Sequence, residues 1–230
     1  SRAVREEIDD LAGVATTDGN LAILAEFDGD YSGALEINDR ALALRRQIGD
    51  RRGIGIGEMN AGYYRILNGD VERARSHLHE ALRLSRELGD RAMVAHSTFT
   101  LGNAERDLGE LRSAATRYVD ALQLQRELDD RFSLTFIIED VGVLLARAGE
   151  EEQGFELLGG AEAVRAQIGS PRPPTLEVEL AGHFAAAREA IGDEAADAAV
   201  GRGRAWSFEE AVDAALAGAA ARVAAMGPTS

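Results

Sequence analysis

The sequence GDVERARSHLHEALRLSRELGD, which runs from Gly69 to Asp90, decides the fold. Small and apolar side chains recur in it every three or four residues, at positions 71, 74, 78, 81, 82, 84 and 88. That spacing is typical of an amphipathic helix with one buried face. Asp70 stands where a helix N-cap is expected, and Gly89 where a left-handed residue ends a helix. The stretch therefore predicts one complete helix with a turn on either side.

This turn and helix return along the chain at intervals of 40 residues. The turn is a Gly followed by an acidic residue at 29, 69, 109 and 149, and an Ala comes twelve residues later at 41, 81, 121 and 161. A second helical stretch, for example from about 92 to 108, lies between each such helix and the next turn. Tandem helix pairs without sustained strand alternation predict an all-α repeat protein.

Glycines inside the second helical stretch predict close helix packing. Gly62, Gly102, Gly142 and Gly182 also recur at intervals of 40. A glycine inside a helix costs about 1 kcal/mol relative to Ala, so its recurrence indicates that a neighbouring helix leaves no space for a side chain. The glycines of Gly53-Ile54-Gly55-Ile56-Gly57 are interpreted as a loop at a helix start, because no strand precedes them as in a dinucleotide-binding turn.

The order of small residues resembles the tetratricopeptide repeat (TPR). Gly62 is followed by Ala74 twelve residues later and by Ala81 seven residues after that. The resemblance covers residues 1 to about 191 and implies a right-handed superhelical solenoid of antiparallel helix pairs, with a repeat of 40 residues instead of the usual 34. The fourth unit departs from the pattern, because Gly154 replaces the first Ala and Ser170-Pro171-Arg172-Pro173-Pro174 replaces an Asp-Arg turn.

The beginning of the chain falls inside a repeat. Val4 and Ile8 occupy the same repeat positions as Leu44 and Ile48. This predicts a truncated first repeat and a parent polypeptide that continues before Ser1. We expect TPR-like repeats over 1–170, a last helix pair with capping helices over 171–226, and a tail over 227–230.

The end of the chain predicts a terminal cap. An Ala-rich helix is expected to break at Gly201-Arg202-Gly203-Arg204, and Ser207 with Glu210 forms a capping box before a last helix that reaches about Met226. The segments LLGGAEA (157–163) and GRAWSFEEAV (203–212) resemble the closing part of bacterial multidomain signal-transduction ATPases, which include LuxR-type and antibiotic-regulator-type transcription factors. The resemblance implies a parent in which a TPR sensor region is joined to an ATPase and an output domain.

Charge and composition exclude several classes of function. The formal net charge is −15, from 40 acidic and 25 basic residues, and every basic residue is Arg. A nucleic-acid-binding surface needs a basic stripe that displaces counterions, so we expect no direct nucleic-acid binding and no attraction to anionic membranes. The absence of Cys and Lys removes thiolate metal sites and the P-loop lysine. No apolar run approaches the roughly 20 residues of a membrane span, and a cytoplasmic protein is expected.

No catalytic, metal or cofactor site is predicted. His77 and His79 lie two residues apart on a helix and face different sides, unlike the i, i+4 pair of a zinc site. The carboxylates are expected on solvated faces and helix caps, and no nucleophile can be matched with a base. A hydrolase or transferase site in the Ala-rich C-terminal part is the least supported alternative.

The TPR resemblance places ligand contacts on the helix that carries the small residue, which is the first helix (helix A) of each TPR pair. The positions that it assigns to a concave groove are Met59, Tyr63, His96, Phe99, Asn103, Arg106, Phe136, Glu139 and His183. Aromatic side chains with Arg are the composition of protein-binding hot spots. Ile56, Ile66 and Val143 also fall on this surface but are expected in the core, because apolar residues at helical spacing usually pack.

These features predict a non-catalytic interaction or sensor segment of a bacterial transcriptional regulator. It would bind a peptide, a protein or a small effector in the groove and pass the change to the parent's ATPase. An alternative is a structural scaffold that self-associates as an oligomer, or that packs on the parent's own ATPase domain and holds it inactive.

Overall fold

The computed structural model describes residues 10–225, and the secondary structure in that range is entirely helical. In chain order the helices are α1 (Leu11–Phe27), α2 (Tyr31–Ile48), α3 (Arg51–Leu67), α4 (Val71–Leu88), α5 (Arg91–Asp107), α6 (Leu111–Glu127), α7 (Arg131–Arg147), α8 (Glu151–Ile168), α9 (Pro174–Ile191), α10 (Asp193–Arg204) and α11 (Phe208–Ala225). The all-α prediction is confirmed. Val4, Ile8, Met226 and the tail lie outside the described residues.

Glycine turns and aspartate caps separate the helices as the sequence indicates. Gly69 lies in the turn after α3, and Gly89 ends α4. Their φ angles are +77° and +66°, in a region that residues with a side chain rarely adopt. The carboxylate of Asp50 accepts the backbone N–H of Gly53 at 2.9 Å and so caps α3. Asp70 also stands at an N-cap position, but its side chain instead accepts a hydrogen bond from Arg65 at 3.2 Å.

The chain divides into two compact units between Ala104 and Glu105. In the first unit α1 packs with α2, and α3 with α4. A Cβ on Gly62 would lie 2.5 Å from Cγ of Leu78, so the predicted close approach at this glycine is confirmed. Ala74, Leu78 and Leu101 belong to one buried cluster of the unit.

The glycine-rich segment 53–57 lies inside α3, so the prediction of a loop is wrong. A Cβ on Gly55 would lie 2.5 Å from Cε of Met93 in α5, and one on Gly57 would lie 3.0 Å from Cδ1 of Leu42 in α2. The alternating glycines therefore let α2 and α5 approach α3 closely. The N-cap at Asp50 helps to offset the low helix propensity of these glycines.

In the second unit α7 packs with α8, and the next close partner of α8 is α10 rather than α9. A Cβ on Gly159 would clash with the carbonyl oxygen of Val200, and one on Gly203 with that of Glu156. Helix α10 runs through Gly201 and Gly203 to Arg204, so the predicted helix break is wrong. Helix α10 can approach the backbone of α8 this closely because residue 203 is a glycine within the helix.

Helix α9 rests on its neighbours through a few side chains. Leu180, Phe184 and Ala187 enter a core cluster with residues of α7, α8 and α10. Gly182 has no neighbouring atom within 4 Å of the position of a Cβ, so the predicted close approach is wrong at this repeat position.

Helix α11 covers α6, α7 and α8. The predicted capping box at its start is confirmed, because the backbone N–H of Ser207 donates to Glu210 at 2.7 Å and the N–H of Glu210 donates to Oγ of Ser207 at 3.3 Å. Arg126 of α6 holds Glu209 at 2.9 Å. Within residues 10–225, no helix combines the length and the apolar character needed to cross a membrane.

Candidate ligand-binding surface

The two compact units divide the predicted ligand-contacting residues between them. The first unit holds Met59, Tyr63, His96, Phe99 and Asn103, and we name this set of α3 and α5 residues the helix-A surface. The second unit holds Arg106, Phe136, Glu139 and His183.

The helix-A surface is formed by two adjacent helices. Besides the contact of Gly55 with Met93, Nε of Arg52 in α3 donates to the carboxylate of Asp90, the residue before α5, at 2.9 Å. Tyr63 and Asn103 occupy equivalent positions one repeat apart, so they point to the same side of the two helices. All five side chains are partly exposed. The helix-A surface thus combines aromatic, thioether, imidazole and amide groups on one side of α3 and α5.

Tyr63 lies next to a second tyrosine and an acidic side chain. Its ring centroid lies 5.7 Å from that of Tyr64, and both phenols interact with the carboxylate of Glu26 near the end of α1. Burial raises the pKa of Glu26, although the interactions with Tyr64 and Tyr63 oppose the rise. The phenol of Tyr63 therefore lies beside a second aromatic ring and a half-buried carboxylate.

A buried carboxylate lies on the same helix as Met59. Glu58 is 4% exposed and accepts hydrogen bonds from Nη2 of Arg46 at 2.5 Å and from Nδ1 of His77 at 2.7 Å. Burial alone would raise the pKa of Glu58, but the hydrogen bonds from His77 and Arg46 outweigh it and the pKa is lowered. The expectation that carboxylates lie on solvated faces and caps is wrong here, and His77 contacts this buried carboxylate.

Arg106, one of the predicted groove residues, is buried in the second unit. It is 3% exposed, pairs with Asp140 of α7, and donates from Nε to Asp107 at 3.1 Å. Burial raises the pKa of Asp140, and Arg106 opposes the rise. The pKa of the fully buried Tyr118 is raised for the same reason. Arg106 therefore connects α5 to α7 in the interior of the second unit.

The ion pair of Arg106 and Asp140 belongs to a network of polar contacts that reaches His183 of α9. Arg147 donates from Nη1 to Asp107 at 2.9 Å and from Nη2 to Nδ1 of His183 at 3.1 Å. Nε2 of His183 lies 4.0 Å from Glu179. Burial, together with Arg106 and Arg147, lowers the pKa of His183. The imidazole is therefore neutral and accepts through Nδ1, so Arg147, His183 and Glu179 form the accessible edge of the network.

Glu139, another predicted groove residue, is likewise buried. It is 3% exposed and accepts two hydrogen bonds from Arg165, at 2.7 and 2.9 Å, and one from Nη2 of Arg172 at 2.7 Å. The guanidinium of Arg165 also stacks 4.5 Å from the ring centroid of Phe136. This cluster pins the Pro-rich turn before α9 to α7 and α8.

Sequence reasoning missed the buried partners of these residues. Glu58 shares its repeat position with Asp18, which is also buried, and with Thr98 and Ile138; acidic residues in a column that also holds an isoleucine are the signal that could have found it. Asp140 gave no comparable signal, because its burial depends on Arg106 of the preceding helix pair. Across the described part of the chain, no group of three or more His, Cys, Asp or Glu side chains could hold a metal ion.

Residues 54–127 match the family model of the tetratricopeptide repeat. They cover most of α3 and all of α4, α5 and α6, and thus include the helix-A surface. No curated protein matches the sequence.

Solved structures show the same fold. BtubC (BKLC) from P. vanneervenii is similar with a TM-score of 0.62 and 20% identity, over 92% of this chain and 86% of that one. A kinesin light chain with nearly identical TPR-like repeats from Podosopora anserina gives a TM-score of 0.54 and 16% identity, over 93% of this chain and 97% of that one. A point variant of that kinesin light chain gives 0.57 and 16%, over 83% and 92%. The chain is therefore an all-α array of TPR-like helix pairs.

Proposed function

We propose that the chain is a non-catalytic interaction and sensor segment whose helix-A surface binds a peptide or protein partner. One observation carries the proposal: Met59, Tyr63, His96, Phe99 and Asn103 lie half-buried on the same side of two adjacent helices. Half-buried aromatic and amide side chains lose little entropy on binding and can satisfy a peptide backbone.

The support for a peptide partner is chemical. Tyr63 contributes a phenol, and the ring of His96 donates from Nδ1 to the carbonyl oxygen of Ala92 at 3.0 Å, which fixes the position of the imidazole. Asn103 adds an amide that can both donate and accept. An extended peptide needs this alternation of donors and acceptors between apolar contacts such as Met59 and Phe99.

We further propose that the parent is a cytoplasmic bacterial transcriptional regulator with an ATPase, and that this ATPase is one candidate partner. The support is the resemblance of segments 157–163 and 203–212 to the closing part of such regulators. In the structure these segments meet, since a Cβ on Gly160 would lie 2.8 Å from the ring of Trp206. The full-length reading frame tests this: a P-loop before residue 1 or a helix-turn-helix supports the assignment, and a frame with neither motif would overturn it.

A peptide-display selection tests the binding surface. Random peptides selected on the wild-type chain should bind the His96→Ala/Asn103→Ala variant at least about tenfold more weakly, a loss of about 1.4 kcal/mol. Arg83→Ala is the matched control, because this side chain is 51% exposed on α4 and lies outside the surface. Circular dichroism confirms that each variant is folded. Peptides that bind all three proteins equally would remove the helix-A surface as the site.

A further inference from the structure

A cleft of about 600 Å³ lies between α8, α9 and α10 in the second unit. Its floor consists of the apolar side chains Phe155, Leu158, Leu180, Phe184 and Val200. Phe155 and Phe184 meet there with ring centroids 4.8 Å apart. The volume falls within the range of about 300 to 1,000 Å³ that is typical of small-molecule sites.

The cleft exists because α10 takes the place beside α8 that the next repeat would occupy. Gly159 and Gly203 bring the backbones of α8 and α10 together, so α9 contacts α8 only through side chains. Helix α9 begins after the Pro-rich turn, and Arg172 of that turn donates to Glu139 at 2.7 Å. The contact between Phe184 and Phe155 spans the remaining gap. Beside it, Ala181 of α9 is exposed and lines the opening.

Three ion pairs form the rim of this cleft. Arg172 donates to Glu177 at 2.6 Å near the start of α9, and Arg188 donates to Asp197 at 2.9 Å at its other end. Arg204 of α10 donates to Glu162 of α8 at 2.6 Å. All six side chains line the cleft. Each charge on the rim is therefore neutralised within the rim, and the cleft has no surplus charge of either sign.

We propose that this cleft binds an uncharged, mainly apolar small molecule. The floor supplies apolar contact, and an ion would have to compete for partners that are already paired. A peptide groove would continue past both ends of α9, but here ion pairs close it at Arg172 and at Arg188. Glu177, Ala181 and Arg188 face the cleft, whereas Glu179 and His183 lie on the other side of α9. The site is thus independent of the function proposed for the helix-A surface.

Titration with the neutral fluorophore N-phenyl-1-naphthylamine tests the proposal. The wild-type chain should bind it saturably at one site, with a rise in its emission. Ala181→Trp places a large side chain in the opening and should weaken binding at least about tenfold, a loss of about 1.4 kcal/mol. Because Ala181 is exposed on a helix, the variant should keep the fold, which its thermal melting curve checks.

Val178→Trp is the matched control, since Val178 is 75% exposed on the same helix and does not line the cleft. It should bind the fluorophore like the wild-type chain. The proposal is overturned if the wild type shows no saturable binding, or if Ala181→Trp binds as well as the control. It is also overturned if Ala181→Trp leaves the affinity for the fluorophore unchanged but abolishes the binding of display-selected peptides. The cleft would then bind a protein partner.

Discussion

Arg106 and Asp140 form an ion pair in which the arginine side chain is 4% exposed. Breaking such a pair by removing one partner leaves the other charge desolvated without compensation. We expect Arg106→Met to lower the free energy of unfolding by about 3–5 kcal/mol, as measured by urea denaturation. The double variant Arg106→Met/Asp140→Leu should recover a large part of this loss. If the single and double variants are equally destabilised, the charge of Asp140 is not what makes the loss large.

His183 should make stability depend on pH. Its pKa in the folded chain lies below its ordinary value of about 6.5, because burial, Arg106 and Arg147 disfavour the charged form, while Asp140 and Asp107 oppose the shift. The unfolded chain therefore binds more protons than the folded chain just below pH 6.5. The stabilising contribution of neutral His183 is full above that pH and decreases as the pH falls.

The matched variant is His183→Asn, whose amide oxygen can accept from Arg147 but does not titrate. Between about pH 7.5 and pH 5.5 the free energy of unfolding of the wild type should fall relative to that of the variant, by no more than about 1.4 kcal/mol per pH unit. Comparison of the two cancels the contributions of Glu179 and Asp140, whose pKa values are raised by burial and change stability in the opposite sense. Parallel curves would show that His183 does not titrate on unfolding.

At the scale of helices, two glycines allow opposite predictions. A Cβ on Gly203 would clash with the backbone of α8, which cannot rotate away, so we expect Gly203→Ala to cost about 1–3 kcal/mol. Gly182→Ala meets open space in a helix and should stabilise by about 0.5–1 kcal/mol, because alanine has the higher helix propensity. Thermal unfolding of both variants gives the comparison. The same sign for both would refute the packing of α8 against α10.

These two glycines also show what the sequence predicts and what it does not. Periodicity, turns and caps predicted the repeating helices and their turns, because they depend on residues close in sequence. The repeat pattern alone made Gly182 look like Gly62, yet its contact depends on whether a later helix lies above it. Gly203 was predicted to break a helix because the sequence does not show that it packs against Glu156, which is 47 residues away. The buried ion pairs of Arg106 and Glu139 were missed because they join separate helices.

Equivalent repeat positions can differ in energy as well. Leu24 and Leu144 lie 120 residues apart, or three repeats, yet Leu24 is 58% exposed and Leu144 is fully buried. We expect Leu144→Ala to cost about 2–5 kcal/mol, whereas Leu24→Ala should cost less than about 1 kcal/mol. Urea denaturation of the two variants measures the difference. Similar losses would mean that the Leu24 face is covered in solution.

At the scale of the whole chain, stability should vary with local burial. Repeat arrays lack contacts between distant repeats, so their helices can open locally at different free energies. Of the 17 residues in each helix, α7 buries twelve and α1 buries five, and Leu24 and Phe27 leave an apolar face of α1 exposed. We expect amide hydrogens of α1 to exchange with deuterium at least about tenfold faster than those of α7.

Hydrogen exchange followed by mass spectrometry resolves this gradient helix by helix. Intermediate protection is expected for α3, which carries Met59 and Tyr63 of the helix-A surface and buries seven residues. A partner that binds there should slow exchange in α3 and α5, because a ligand stabilises only the states that bind it. Equal exchange in α1 and α7 would mean that the array unfolds as one cooperative body. Binding at the helix-A surface would then protect every helix equally, and the protection pattern could not locate the site.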